Sequence, residues 1–232
     1  MDGSSVSLQN QRSRLDSKVD LRCLILPADD LTDWDGLINQ VVNLVSIEKK
    51  SYPHRLIYLC GESFGGCLAL KLVARSAELF DRLILINPAS SFHRQPWRYL
   101  GPELVKQTPT LLYQLATVGF LPFLVSMERT SNENRLALLQ AMQSVTPKSA
   151  AWRLSLLRDF RLEDLSLDRF AKPTLMIASR ADQLLASSLE AKKLAEFLPN
   201  LQNVTLRHSG HACLLESEVD LYKILTNMKF LN

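Results

Sequence analysis

The chain has no excess of charge of one sign. Its 27 lysines and arginines are balanced by 24 aspartates and glutamates, which leaves a net charge of +3 over 232 residues. No basic cluster predicts a phosphate-reading face, so a nucleic-acid partner is not expected. Residues 1–20 hold no apolar run of the kind a secretory signal needs, so secretion is not expected either. We therefore expect a cytoplasmic or peripheral membrane protein, one domain in size with a single insertion.

Cysteine is scarce, with four residues in the chain: Cys23, Cys60, Cys67 and Cys213. None stands at a spacing typical of metal ligands, and three of them fall in or beside apolar stretches. We predict reduced, buried thiols rather than a metal site. No other spacing implies a metal or an organic cofactor, so the expected chemistry rests on the protein's own side chains.

The most informative segment is residues 55–74, RLIYLCGESFGGCLALKLVA. An apolar strand leads into the turn Gly61-Glu62-Ser63-Phe64-Gly65-Gly66, and a helix of small residues follows. A strand, sharp turn and helix around G-x-S-x-G predict Ser63 as a catalytic nucleophile. The flanking glycines, Gly61 and Gly65, predict a turn so tight that a side chain at either position would strike the neighbouring strand or helix. Without further support, the motif fits an ordinary glycine-rich connection equally well.

The start of the predicted helix also offers an oxyanion donor. The backbone N–H of Phe64 would have no acceptor within the helix and would point outward beside Ser63. It could therefore stabilise the negative charge that forms when the serine attacks a carbonyl carbon.

Two later segments supply an acid and a base. Asp182 follows an apolar strand at 173–179, and His211 lies just beyond a strand at 203–208. A serine needs an imidazole to take its proton, and the imidazole needs a carboxylate to hold its tautomer. The order Ser63, Asp182, His211, with each residue at the carboxyl end of a parallel strand, is similar to that of the α/β-hydrolases.

Other interpretations of these residues remain open. Asp182 could cap the helix predicted over 184–197, and His211 could be an ordinary loop histidine. The chain also holds rival acids and bases, none of which matches both the position and the order of the triad. They are Asp159, Asp164, Asp168, His54, His93 and His208.

The rest of the chain predicts the fold. Apolar strand-like runs at 21–27, 82–87 and 173–179 alternate with helical periodicity, such as that after Asp33. This alternation predicts a mostly parallel sheet with helices on both faces, formed by residues 1–89 and 172–232. Between them, residues 90–171 show helical periodicity without a convincing strand, which predicts a helical cap inserted into the core.

Within the cap, residues 107–127 carry no charge. The length raises the question of a membrane span. We do not expect one, because it would separate Ser63 from Asp182 and His211 across a bilayer, whereas the triad needs all three within hydrogen-bonding reach. Two interpretations remain and are compatible: a buried cap helix, and a lipid-facing lid that accepts an acyl or isoprenoid chain and makes peripheral membrane contact.

Taken together, the chain resembles a branch of the α/β-hydrolases, the plant and cyanobacterial esterase/lipase/thioesterase-like acyltransferases of the phytyl ester synthase and diacylglycerol acyltransferase type. The resemblance implies Ser63 as nucleophile, Asp182 as orienting acid and His211 as base. It also implies acyl transfer from an ester or thioester to a hydrophobic alcohol such as phytol or diacylglycerol, and a plastid or thylakoid location. It rests on the segments LRCLILPADD, GESFGGCLALKLV, LILINPASSF, ASRADQLLASSLEAKKL, SGHACLLE and Trp152 to Arg158.

One part of the family pattern is not found. In such families a strand ending in a Pro-Gly-x-Asp-Gly loop precedes the first helix and supplies the second oxyanion donor, whereas this chain starts at Met1-Asp2-Gly3, inside that apparent loop. We expect a truncated chain or a start assigned too late. Met1, Asp2 and Gly3 are then the candidates for the remaining oxyanion contact, beside Phe64.

The function expected from the sequence is acyl transfer through a serine acyl-enzyme. Its partners would be an acyl ester or thioester donor and a hydrophobic alcohol acceptor. One alternative is a carboxylic-ester hydrolase, lipase or thioesterase, in which water reaches the acyl-enzyme. Another is a catalytically silent lipid-binding protein that keeps the pocket without a complete oxyanion hole.

Overall fold

The computed structural model describes residues 3–94 and 100–231. Their sheet has four parallel strands in the order β1-β2-β3-β4, so the predicted parallel sheet is confirmed. In the register of the sheet, the last residues of paired strands lie side by side, with Glu62 beside Ile86 and Ser179 beside Leu206. The strands are β1 Tyr58–Glu62, β2 Arg82–Ile86, β3 Thr174–Ser179 and β4 Leu201–Leu206.

Nine α-helices lie in these described residues. Three precede β2, four lie between β2 and β3, and the last two follow β3 and β4. They are α1 Gln9–Leu15, α2 Trp34–Ser51, α3 Phe64–Arg75, α4 Leu100–Gln107, α5 Thr110–Leu124, α6 Asn132–Ser144, α7 Pro147–Asp159, α8 Ser187–Phe197 and α9 Leu221–Asn227. As predicted, α2 begins after Asp33, whose side chain accepts a hydrogen bond from the Gly36 N–H at 2.9 Å.

The two faces of the sheet are covered by different helices. In β2, Leu83 and Leu85 point into a cluster formed with α2, α3 and α8. Ile84 and Ile86 point the other way, into a cluster formed with α1 and α9. Because side chains alternate along a strand, an unbroken apolar run such as that of β2 is what a sheet covered on both faces requires.

The strand predicted at 21–27 is wrong. These residues form no ladder with β1 or any other described strand, and the Leu26 N–H donates instead to the Gly3 carbonyl at 2.9 Å. The apolar run had predicted a strand, but a strand forms only where an unpaired edge of another strand lies beside it and can exchange hydrogen bonds with it. The expectation that a strand is missing next to this segment stays a prediction.

The prediction of four buried thiols is also partly wrong. Cys67 and Cys213 are buried, but Cys23 is half-buried and Cys60 is exposed, although all four are free. Cys60 lies in β1, which pairs on one side only in the described sheet. An edge strand leaves part of its surface uncovered, which periodicity alone does not reveal.

The segment between β2 and β3 is helical, as predicted, and no strand lies in its described residues, 90–94 and 100–171. Helix α7 packs into the main core through Leu154 and Leu157, and α4 packs against α7. Helices α5 and α6 form a smaller cluster with Ala212 and Leu215 from the chain after β4. The division into a core and a cap at 90–171 stays a prediction, because α7 belongs to the same cluster as the sheet.

The interpretation of 107–127 as a buried helix is corrected by the structure. In α5 only Thr117 and Leu121 are buried, whereas Leu111 is 69% exposed and Leu115 is 60% exposed. The helix lacks an amphipathic pattern because nearly every position is apolar, so the sequence could not show which side is covered. Of the helices in the described residues, none combines the length and apolarity that crossing a bilayer requires.

Candidate active site

Ser63 lies in a sharp turn between β1 and α3, one residue after Glu62 ends the strand. Its backbone has φ 52° and ψ −114°, a conformation that residues other than glycine rarely adopt. Hydrogen bonds hold both sides of the residue: its N–H donates to the Ile86 carbonyl at 3.0 Å, and its carbonyl accepts from the Ala89 N–H at 3.1 Å. The predicted strand, turn and helix are therefore present, with Ser63 at the tip of the turn.

The glycines of the turn have different roles. A Cβ at Gly61 would lie 2.3 Å from the Gly65 carbonyl oxygen, and one at Gly66 would lie 2.6 Å from the Pro88 Cβ. At Gly65 a Cβ would meet no atom within 4 Å. The prediction for Gly61 agrees with these distances, but the prediction that a side chain at Gly65 would clash is wrong. The backbone of Gly65, rather than its Cα substituent, makes the close approach.

The structure brings together the three residues that the sequence singled out. The Nε2 atom of His211 is 2.8 Å from the Ser63 Oγ, and its Nδ1 atom is 2.8 Å from the Asp182 Oδ2. The side chains of His211 and Asp182 are almost completely buried. The arrangement forms a continuous relay of hydrogen bonds from the carboxylate to the serine hydroxyl.

The surroundings of Asp182 keep its carboxyl group ionised. One oxygen accepts from the N–H groups of Leu184 and Leu185, both at 2.9 Å, and the other accepts from the Ser187 hydroxyl at 2.5 Å. Burial alone raises the pKa of Asp182, but the interactions with His211 and Ser187 outweigh it, and the pKa lies below its ordinary value.

Because an ionised carboxylate can only accept, the Nδ1 of His211 must donate, and Nε2 is then free to accept from Ser63. The alternative role of Asp182 as a helix cap is present in part. It caps the turn before α8, whose own N-cap residue is Ala186.

The rival acids and bases lie elsewhere. Within the described residues, none of them shares a hydrogen bond with Ser63 or His211. Asp159 pairs with Arg158 on the surface, and the remaining carboxylates are exposed. The set comprises Asp159, Asp164, Asp168, His54, His93 and His208.

Phe64 supplies an N–H group at the start of α3. This N–H donates to no described residue, as an oxyanion donor requires before substrate binds. The phenyl ring is buried and stacks on Trp34, with ring centroids 4.7 Å apart. The sequence did not predict that stacking, which fixes the first residue of α3 against the first residue of α2.

The other oxyanion candidates are the first three residues of the chain. Met1 and Asp2 lie outside the described residues. Gly3 has φ 70° and accepts a hydrogen bond from Leu26, and its own N–H donates to no described residue. Gly3 stays a predicted oxyanion contact.

The loop carrying His211 is held by residues that sequence reasoning missed. The fully buried Glu216 accepts from the Gly210 N–H at 2.7 Å and from the Arg129 Nε at 2.9 Å. Arg129 belongs to the α5–α6 connection, 87 positions away from its partner. A buried ion pair of this kind ties the helical segment to the loop, because separating it would leave the carboxylate uncompensated.

A second attachment lies on the other side of His211. The Ala212 N–H donates to the Leu124 carbonyl, at the end of α5, at 2.8 Å. A side chain at Gly210 would lie 2.9 Å from the Ser126 nitrogen, so a glycine allows the two backbones to approach. The two neighbours of His211 therefore lie against the end of α5 and the residues that directly follow it. As for metal binding, no group of three or more His, Cys, Asp and Glu in residues 3–94 and 100–231 is arranged to hold an ion.

Comparison with known proteins agrees with this geometry. A family model described as the alpha/beta hydrolase fold matches residues 32–218. The chain belongs to the α/β-hydrolase fold family. Among solved structures, an esterase from Thermogutta terrifontis covers 98% of this chain and 86% of its own, with a TM-score of 0.74 and 16% identity. An esterase from Exiguobacterium antarcticum gives a TM-score of 0.75 at 17% identity, covering 97% and 87%. At these identities the likeness shows the fold.

Curated relatives are more similar in sequence. Phytyl ester synthase 1, chloroplastic, from Arabidopsis thaliana is 32% identical over 97% of this chain and 35% of its own length, and phytyl ester synthase 2 is 28% identical over 97% and 36%. This chain therefore spans about a third of those relatives. A protein from Agrobacterium fabrum that bears the name of a carbamate hydrolase, RutD, is 26% identical over 79% of this chain and 67% of its own. The resemblance to the phytyl ester synthase branch is confirmed.

The turn geometry predicts different effects of alanine at its glycines. Gly61→Ala and Gly66→Ala should each lower the free energy of unfolding by about 1–3 kcal/mol, because backbone atoms must move aside. Gly65→Ala should leave it unchanged or raise it by up to about 1 kcal/mol, because alanine favours the helix. Denaturant unfolding of the three variants tests this, with Gly119→Ala in α5, where a Cβ also meets nothing, as the control. An equal loss at Gly65 and Gly61 would contradict the turn geometry.

Replacing the carboxylate beside His211 should abolish most serine reactivity. In Asp182→Asn the amide can present an N–H to the ring, which favours the tautomer whose Nε2 carries the proton and cannot accept one. We expect labelling of Ser63 by a fluorophosphonate to slow about 10³- to 10⁴-fold. The control is Asp164→Asn, an exposed rival acid that should label at the wild-type rate.

The same variant predicts a pH dependence of stability. The folded pKa of Asp182 is lowered, so its carboxylate stabilises the fold above the unfolded pKa of about 4 and loses that contribution as the pH falls through the folded value. The difference in unfolding free energy between wild type and Asp182→Asn should therefore narrow on acidification below about pH 4. A difference that widens there would show that the carboxyl is not held ionised.

Proposed function

We propose that the protein transfers acyl groups through a covalent acyl-serine, with Ser63 as nucleophile, His211 as general base and Asp182 as orienting acid. The observation that carries this proposal is the relay from Asp182 through His211 to Ser63, with two contacts of 2.8 Å. Such a relay activates a hydroxyl because the imidazole takes its proton while the carboxylate stabilises the resulting imidazolium.

The steps follow from this geometry. The Ser63 oxygen attacks the acyl carbonyl carbon while its proton passes to the His211 Nε2. The Phe64 N–H stabilises the oxyanion, and His211 then gives the proton to the departing alcohol or thiol. An incoming alcohol then attacks the acyl carbon while His211 takes its proton. The bond between the acyl carbon and the Ser63 oxygen breaks, His211 returns the proton to that oxygen, and the ester leaves.

The proposed acceptor is a hydrophobic alcohol, phytol or diacylglycerol, and the donor is an acyl ester or acyl thioester. Support comes from the two relatives named phytyl ester synthases, of whose length this chain spans about a third. Both carry the description chloroplastic, which supports a plastid location for this chain. The apolar α5 beside the His211 loop fits a long-chain substrate better than a polar one.

Hydrolysis of an ester is the second candidate. It is favoured by the relative named as a carbamate hydrolase, two thirds of whose length is matched. The same acyl-serine would then be attacked by water, activated by His211 in place of an alcohol. The distinction between the two reactions lies in which acceptor reaches the acyl-serine.

We also propose peripheral membrane contact through residues 107–127. The described α5 exposes a run of apolar side chains, including Leu111, Leu112 and Leu115, and residues 107–127 contain no charged residue. An apolar face of this size on a helix too short to span a bilayer fits insertion into the interface between headgroups and acyl chains.

Labelling with a fluorophosphonate tests the activated serine. Wild-type protein should gain the mass of one probe, and Ser63→Ala should gain none, because no other described serine is bonded to His211. Ser90→Ala, a buried serine bonded to Glu190, is the matched control and should label like the wild type. An unreactive wild-type protein would overturn the catalytic proposal and favour a silent lipid-binding protein.

Product analysis then separates transfer from hydrolysis. Reactive protein is incubated with an acyl thioester, with and without phytol or diacylglycerol. We expect the ester as product when alcohol is present. Free fatty acid as the sole product in both cases would favour the hydrolase.

Vesicle binding tests the membrane contact. The double variant Leu111→Ser with Leu115→Ser should bind phosphatidylglycerol-containing vesicles about thirtyfold more weakly than the wild type, because two inserted leucines that each contribute about 1 kcal/mol together contribute about 2 kcal/mol. Leu44→Ser with Ile47→Ser, two similarly exposed residues of α2, is the matched control. Equal binding by both variants, measured by co-sedimentation, would rule out α5 as the contact.

A further inference from the structure

The carboxyl end of β2 contacts the nucleophile turn directly. Ile86, the last residue of β2, accepts the Ser63 N–H, and Ala89 donates to the Ser63 carbonyl. Pro88 is the residue that a side chain at Gly66 would strike. Asn87 lies between these contacts and is completely buried. The turn and Asn87 are therefore parts of one packed unit.

The side chain of Asn87 connects the acid strand with the base. Its Oδ1 accepts from the Ser179 N–H at 2.8 Å. Its Nδ2 donates to the Ser179 Oγ at 2.9 Å and to the carbonyl oxygen of His211 at 2.7 Å. Ser179 ends β3, three positions before Asp182. The side-chain amide of Asn87 thus joins the end of β3, which precedes Asp182, to the backbone of His211.

The chemistry of these contacts specifies asparagine. A backbone N–H can only donate and a carbonyl can only accept, so Ser179 and His211 together require an acceptor and a donor on one short side chain. Asn87 also has φ 41°, in the left-handed region that asparagine adopts more readily than most residues. Aspartate would meet the conformational need but would lack the donor.

We propose that Asn87 is a positioning residue for the reaction of Ser63. It fixes the backbone of His211 relative to the end of β3, and so keeps the His211 Nδ1 within reach of Asp182. This inference rests on the proposed function, because positioning has a meaning only if His211 acts as the base. Asn87 acts on the backbone of His211 and takes no part in the proton transfer itself.

The test is the pH profile of fluorophosphonate labelling in Asn87→Asp. The substitution places an oxygen where Nδ2 now donates to the His211 carbonyl, and two oxygens at that distance repel each other. We expect labelling at neutral pH to slow about 10- to 100-fold, since displacing a reacting group by about 1 Å costs this much.

The loss of rate in Asn87→Asp, measured relative to the wild type, should depend on pH. A buried carboxyl group has a raised pKa, and once protonated its O–H can donate to the His211 carbonyl. The ratio of variant to wild-type rate should therefore rise as the pH is lowered. Asn203→Asp, the same change at an exposed position of β4, is the matched control and should label like the wild type throughout.

A second variant, Asn87→Gly, removes the amide while suiting the positive φ. It should label slowly at every pH. Wild-type protein that fails to label would reject the proposed function, whereas reactive wild type with an equally reactive Asn87→Asp would reject the positioning role alone.

A loss in Asn87→Asp that is the same at every pH would indicate general damage to the fold and would count against positioning. Failure of both Asn87 variants to fold, judged by thermal unfolding, would make Asn87 a determinant of the fold and would also overturn the inference.

Discussion

The whole site depends on the close approach of the end of β1 to the start of α3. The carbonyl of Gly65 lies where a side chain at Gly61 would project, so the chain can reverse there only without that side chain. The turn holds Ser63 at a positive φ, a conformation that costs on the order of 1–3 kcal/mol. Hydrogen bonds from Ser63 to Ile86 and from Ala89 to Ser63 offset this cost. The pairing of β1 with β2 therefore presents the serine.

Much of the fold could be predicted because its signals are local. Apolar runs bounded by turn residues located all four strands, and alternation with helical segments gave a parallel sheet. In such a sheet the carboxyl ends of the strands share one edge, so residues just beyond three different strands were expected to meet. In the structure, Asp182 is hydrogen-bonded to His211, and His211 is hydrogen-bonded to Ser63. Chain order and position at a strand end were enough, without knowledge of the loops.

The features that could not be predicted depend on contacts between distant segments. The apolar residues 21–27 had the composition of a strand, but pairing requires a neighbouring edge that composition does not report. Gly65 looked like Gly61 in the motif, yet only the path of the backbone decides which Cα faces an obstacle. Glu216 and Arg129 lie far apart in sequence, and neither belongs to a motif. Loops are held by such long-range bonds, so the loop that carries His211 can be located from sequence before its supports can.

The supports of the His211 loop bear on how the helical segment and the base move. Because Glu216 is fully buried, separating it from Arg129 would expose an uncompensated charge to an apolar interior. The Leu124 carbonyl is also bonded to the residue after His211. The end of α5 and the base therefore shift together more easily than they separate. A molecule that packs against α5 would contact a helix whose last residue, Leu124, is hydrogen-bonded to the loop that carries His211. If the proposed function holds, contact between the apolar chain of a substrate and α5 is therefore mechanically linked to the placement of the His211 imidazole.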